Sequence, residues 1–435
     1  MSSLTTFKKT LLTLSACALA FSQSALAHDM VPGAKQSQPI VIKGATLHTV
    51  TNGVLTNSDL LMVDGKISAI GQNITIPQNS QIIDGTNKHV YPGLISTVSQ
   101  LGLREIEAVK ATVDIREVGD DNPHLLAEAA YNPDSEIIPT IRSNGITHVQ
   151  VTPAGHLFGG QSSVINLDAW NIEDGLVKST VGVHLFWPSQ PPSWVSEKRR
   201  PKAMKRYHQK LTRLNDLVEQ SKRYYTAYQA DSSIPQDVRW HAMLGLWQGE
   251  KTLYVHAEDI NEIEQALRFN QQHGFKMVIV GGSDAWMAAQ ELAQQNVSVI
   301  YTHAFGLPQR GDEDIDQAFK TPHLLKQAGV TTVIGYESAW DSRSLAFAAG
   351  MAAKYGLGKA AALEAITLTP AKVLGVSDKL GSLDVGKSAS VIISAGDVLD
   401  YQTHHVEKMF IDGRVVDLNN RHRQLYDKYQ QKGQK

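Results

Sequence analysis

Cysteine is all but missing from this chain. The only one is Cys17, so no intramolecular disulfide and no zinc–thiolate cluster can form. Long apolar runs are also scarce. Beyond the first 27 residues no stretch approaches the length needed to cross a bilayer, so a transmembrane segment is not expected. Nor is there an excess of one charge: 41 basic residues face 43 acidic ones, a net charge of −2. Such a balance argues against nucleic acid or an anionic membrane as a general partner. What is present is ordinary for a water-soluble globular protein, with 42% hydrophobic and 19% charged residues in 435. That length gives ample core for one large domain or two medium ones.

Residues 1–27 read as a secretory signal peptide. Lys8 and Lys9 precede an apolar run from Leu11 to about Phe21, and Ala25-Leu26-Ala27 supplies small residues for cleavage. Removing it leaves 39 basic against 43 acidic residues, a charge of −4, and no thiol. A periplasmic protein is the expectation. Leu14-Ser15-Ala16-Cys17 also fits a lipoprotein processing site, which would leave the protein anchored through a lipid on Cys17.

Residues 28–39 read as a flexible polar leader. Residues 40–90 read as β-strands punctuated by Asn52-Gly53 and Asp64-Gly65, a hairpin signature. A second β segment at 376–420 carries Asp412-Gly413 in the same role, and 421–435 remain as a tail. Two β-rich flanks around a different middle predict that both chain ends close on each other as one small β-sandwich.

The middle, 91–375, alternates short apolar runs with helical patterns, which predicts a parallel sheet. Eight strands are expected near 93–98, 147–152, 162–167, 182–187, 252–257, 276–281, 297–302 and 330–335. Helices are expected at 259–273, 285–294 and 317–328. Eight strands over this span point to an α/β fold of the (β/α)8 TIM-barrel type. Residues 102–143 are expected to cover the barrel mouth. The basic run Lys198, Arg199, Arg200, Lys202, Lys205 and Arg206 reads as the solvated face of a long surface helix, not a nucleic-acid site. Gly-rich Phe158-Gly159-Gly160-Gln161-Ser162-Ser163 lacks the Lys-Ser/Thr ending of a phosphate loop, so it is expected to be a loop lining the mouth.

The stretch Val90-Tyr91-Pro92-Gly93-Leu94-Ile95-Ser96-Thr97-Val98-Ser99-Gln100 resembles the first barrel strand of the amidohydrolase superfamily, Pro-Gly-Leu-Ile-Asp-x-His-x-His. Ala362 to Gly375 and the phrase Gly381-Ser382-Leu383-Asp384-Val385-Gly386-Lys387-Ser388-Ala389-Ser390 are similar to that family's last helices and closing β-flank. The order of these motifs is that of its periplasmic, imidazolonepropionase-like branch. The resemblance implies a metal-polarised carbonyl and a metal-bound hydroxide that cleave non-peptide C–N bonds. It also implies metal ligands on strands one, four, five, six and eight.

Here the residues depart from the pattern. Val98 and Gln100 stand where strand one carries histidines, Ser96 where it has Asp, and Gly281 where strand six has His. His256 on strand five is kept, and Glu337 replaces the strand-eight Asp. His184, His256 and His303, with Glu337, could form a rebuilt mononuclear zinc site; His256, Glu337 and Asp341 could act as acid and base without a metal. Two readings follow. One is an exported C–N hydrolase working on a small molecule. The other is a relative without catalysis that binds a small ligand or a partner protein.

Overall fold

The computed structural model describes residues 30–432. The expected signal peptide and cleavage site, with Cys17, lie outside the described residues. The barrel is built from β6 (Leu94–Ser99), β7 (Ile146–Val151), β8 (Phe158–Asn166), β9 (Leu176–Phe186), β10 (Thr252–Ala257), β11 (Met277–Gly281), β12 (Ser298–Tyr301) and β13 (Thr332–Ile334), hydrogen-bonded in chain order. The first and last strands meet near the mouth, where the Gln100 N–H donates to the Glu337 carbonyl at 2.9 Å. This is a (β/α)8-type barrel.

It departs from the expected all-parallel sheet at one strand. β8 runs antiparallel to both β7 and β9. The reason lies in the connections: only residues 152–157 separate β7 from β8, too few for the crossover that parallel neighbours need. The Gly-rich phrase at Phe158 is accordingly the start of this strand rather than a loop. Gly160 sits at φ +133°, close against Leu125 and against Pro153 of the β7–β8 linker.

Period-two alternation sorts the barrel side chains into two layers. Ile95, Val98, Val164, Val181, Tyr254, Val278, Val280, Ile300 and Val333 fill the lumen. Their neighbours on the same strands, among them Leu94, Val149, Leu185, Val255, Ile279 and Val299, face the surrounding helices. The helix Ile260–His273 shows how these are punctuated. The Asp259 carboxylate accepts from the Glu262 N–H at 3.0 Å, and Gly274 at φ +71° stops the helix. The basic run lies at the start of a 31-residue helix, Arg200–Ala230, buried only along Tyr207, Leu214, Leu217, Val218 and Ser221.

Both chain ends share the second sheet. It contains β1 (Ile40–His48), β2 (Val54–Val63), β3 (Lys66–Gly71), β4 (Gln81–Asp84) and β5 (His89–Pro92) from the front. From the back come β14 (Val391–Ser394), β15 (Val406–Ile411) and β16 (Arg414–Val416). β5 pairs with β14, which joins the two halves. One face gathers Ile42, Leu47, Leu60, Met62, Val391, Ile393 and Phe410, and burying each such side chain is worth about 2 kcal/mol. The opposite face of β14–β16 (Ile392, Met409, Ile411, Val416) packs on the barrel.

Residues 30–39, expected to be a loose leader, are held along this sheet: Gln36 accepts from the Gly65 N–H and donates to the Met62 carbonyl, both at 2.8 Å. The tail forms a helix, Arg421–Lys432. Asp168, 1% exposed at its side chain, ties leader, barrel and second sheet together. It accepts from the Gly33 N–H at 3.1 Å and pairs with Arg142 at 3.1 Å and Arg414 at 3.6 Å. Burial raises its pKa, and the two guanidiniums with the Gly33 N–H work against that rise. Asp168→Asn removes the carboxylate that Arg142 and Arg414 share, leaving Arg142 with the Leu167 carbonyl and Arg414 with Asp174, so urea unfolding should show a loss of about 3 kcal/mol. A loss below about 0.5 kcal/mol would mean the pair is not holding these parts together.

Candidate functional site

Strands β9 and β10 are in register with Tyr254 opposite His184 and His256 opposite Phe186. All four side chains therefore point into the lumen at the C-terminal end of the barrel, where reactive groups of this fold collect. The His184 ring stacks on Tyr254, centroids 4.7 Å apart and 5° from parallel, and His256 stacks on Phe186 at 4.0 Å and 17°. The two imidazoles meet edge to edge, with His184 Nδ1 3.0 Å from His256 Nε2. On its other side His256 Nδ1 lies 2.9 Å from Glu337 Oε1. Glu337 follows β13 and keeps 44% of its side chain exposed.

This makes a linear chain, Glu337–His256–His184. Burial alone would raise the Glu337 carboxyl, but the hydrogen bond and charge of His256 outweigh it and hold the group below 4.5. An ionised Glu337 accepts from His256 Nδ1–H; when Nε2 of that ring carries no proton, it accepts from His184 Nδ1–H. Burial, with His256 adding to it, holds His184 well below 6.5, so His184 is neutral at pH 7. The inner end of the chain is His184 Nε2, buried and without a hydrogen-bonding partner among the described residues. If His256 takes up a proton the inner bond reverses, and Nε2 of His184 becomes the buried donor.

Of the candidates read from the sequence, His184, His256 and Glu337 are thus brought together. His303 is not. It stays with its own loop, Nε2 3.4 Å from the Leu307 carbonyl and 3.2 Å from Gln309. Asp341 opens a short exposed turn at Asp341–Ser344, and its backbone N–H donates to Ser338 Oγ at 3.3 Å. Among the described residues it makes no ion pair with Arg343, whose guanidinium lies over the Trp340 ring at 5.6 Å, and no hydrogen bond to the His256–Glu337 pair.

The strand-one positions are rebuilt as packing. β6 bulges between Ser96 and Ser99, and Val98 within the bulge takes φ +52°, a strained value for a β-branched residue. Its N–H donates to Gln150 Oε1 at 3.2 Å while its side chain, 1% exposed, fills the lumen. The Ser96 and Ser99 hydroxyls both bond Ser342 Oγ, at 3.1 and 3.2 Å.

At strand six, Gly281 sits at φ +97°, and a Cβ there would collide with the Glu258 carboxylate. Sequence reading passed over Glu258, although its place two residues beyond His256 puts it on the same side of the strand end. Its Oε2 accepts from the Ser283 N–H at 3.2 Å. The protein around it removes enough water to push it up to about 7, with Glu337 and Glu262 adding to the rise, while part of its surface stays open to solvent.

A zinc ion needs three or more donors with free lone pairs. Among the described residues no group of three or more His, Cys, Asp or Glu side chains could hold one. Both nitrogens of His256 are already committed to protein partners, and His303 is elsewhere. The donor set does not fit the rebuilt mononuclear zinc site expected from the sequence, so no chemistry is derived through a metal here.

The neutral histidines set an acid limit on stability. His184 is held well below 6.5, and burial lowers His48 and His148 to about 4. Each takes up its proton only on unfolding as pH drops below 6.5, so stability falls with acid in that window. Each such group contributes a slope of at most about 1.4 kcal/mol per pH unit. His184→Gln should reduce the slope of unfolding free energy between pH 6.5 and 5 by up to one proton. An unchanged slope would show that His184 is charged in the native protein.

Three comparisons bear on this site. The Amidohydrolase family pattern matches residues 246–417, which include β10 to β13 and the closing β-flank. The chain is 21% identical over 398 residues to Amidohydrolase tasK of Hapsidospora irregularis, and spans 82% of itself but 39% of that protein's length. Its fold is similar to that of an amidohydrolase from Thermotoga maritima MSB8, with a TM-score of 0.74, 24% identity, and coverage of 87% and 99% of the two chains. It is also similar to an adenosine deaminase from Xanthomonas campestris with bound zinc, with a TM-score of 0.51, 15% identity and coverage of 91% and 98%. Residues 246–417 thus match the Amidohydrolase family pattern, and the chain is similar in sequence and fold to proteins described as amidohydrolases.

Proposed function

We propose that this is an exported member of the superfamily whose barrel mouth binds a small molecule instead of building a metal-bound hydroxide for C–N hydrolysis. The observation that carries the reading is His256. Its two nitrogens are engaged by Glu337 and His184 at 2.9 and 3.0 Å, leaving no lone pair for a metal or a substrate. Two carboxyls, those of Glu337 and Glu258, face solvent at this end. Glu337 is ionised and partly exposed, and Glu258 titrates near neutrality beside it. Both suit a ligand that presents N–H donors, an amine or an amide. Met287, Phe305 and Leu307, exposed on the loops after β11 and β12, would cover its apolar part. The signal-peptide pattern of residues 1–27 supports a periplasmic protein; the intact mass of the exported form tests this, with a chain starting at His28 as the expected result.

The test is elemental analysis of the purified mature protein, followed by thermal-shift screening of small amides and amines with and without zinc. The reading expects far less than one zinc per chain, hits that do not depend on zinc, and their loss in Glu337→Gln. Stoichiometric zinc, with amide turnover abolished by His256→Ala, would replace it with the ancestral hydrolase.

A further inference from the structure

Away from the barrel mouth, β1 and β5 of the second sheet face the helix Lys359–Glu364 and the loop after β14 across a cavity of about 280 Å³. A larger cleft of about 840 Å³ also exists, but its three lysines and Arg414 balance its four aspartates and select no ligand chemistry. The smaller cavity is selective. Its walls are mostly apolar (Val50, Val54, Leu363, Leu399), and its floor is a stacked pair, His48 on Tyr91, with ring centroids 4.1 Å apart and 11° from parallel.

Three features give this floor one defined polar point. His48 Nε2 lies 2.9 Å from His89 Nδ1, so one nitrogen is fixed. Burial, then the neighbouring His89, lowers His48 to about 4, so the ring is neutral at pH 7. No hydrogen bond engages His48 Nδ1 among the described residues. In the tautomer whose Nε2–H donates to His89 Nδ1, His48 Nδ1 is an acceptor. At the rim, the Lys359 ammonium and the Asp397 carboxylate neutralise each other at 2.7 Å, which removes any call for a charged ligand. Val50 lines the wall at φ +73°, a costly value for a β-branched residue of the kind found at ligand clamps.

We infer that this seam is a second binding site, for a neutral one- or two-ring aromatic molecule carrying a single N–H or O–H donor, which stacks against the His48–Tyr91 floor and donates to His48 Nδ1. The volume agrees: apolar cavities of about 150 Å³ hold benzene, and sites for drug-sized ligands begin near 300 Å³. Because the walls come from both the second sheet and the helix after the barrel, the occupant clamps the two together and raises thermal stability.

The test uses indole and its isostere indene, which lacks the N–H, titrated into the full mature chain by calorimetry and thermal shift. Indole should bind saturably and more tightly than indene. Val54 is 56% exposed, so Val54→Trp should fold normally and plug the entrance, weakening indole at least about tenfold. His48→Phe keeps a ring on Tyr91 and should erase the preference for indole over indene. The inference is overturned if indole fails to saturate at millimolar concentration, if Val54→Trp leaves its affinity unchanged, or if the preference survives in His48→Phe.

Discussion

An imidazole has two nitrogens, and what each one faces decides what the ring can do. In this barrel the His256 ring is spanned on both sides, by an ionised carboxylate outside and a neutral imidazole inside. Flat contacts with Phe186 and Tyr254 keep the two rings from turning away. The outer carboxylate is held ionised by the ring, and the inner ring is held neutral by burial, so each element of the row fixes the protonation of the next. The remainder of the mouth is arranged around this closed row. His256 is part of a structural and electrostatic unit with Glu337 and His184.

The space around the row is filled accordingly. On β6 a bulge turns Val98 into the lumen among other branched apolar side chains, at the cost of a strained backbone. On β11 the absence of a side chain at Gly281 lets the Glu258 carboxyl settle against the strand. The two positions differ in kind: Val98 packs among apolar side chains, while Gly281 leaves room for the Glu258 carboxyl. Together they leave a mouth whose solvent-facing chemistry is that of two carboxyls of unequal acidity.

Much of this was legible in the chain itself. The eight strands, the pairing of the chain ends, and the meeting of His184, His256 and Glu337 follow from periodicity and from strand ends, because alternation leaves little freedom in which face a residue takes. The direction of β8 was written in the short linker 152–157, a signal of length rather than composition. Glu258 was harder to find: its role depends on Gly281, 23 positions later in the chain, and only the fold brings the two into contact. His303 misled for the opposite reason. It sits at a strand end as a ligand would, yet its loop turns back and engages the ring locally.

The most direct measurement is a long-range proton–nitrogen spectrum of the histidine rings in the mature protein, recorded near pH 7 before and after zinc is added. The account predicts that His184 shows one protonated and one bare nitrogen, that His256 shows Nδ1 protonated toward Glu337, and that neither pattern moves with zinc. Displacement of the His256 Nε2 resonance by stoichiometric zinc would contradict it, because a nitrogen committed to His184 would then have been free to bind metal.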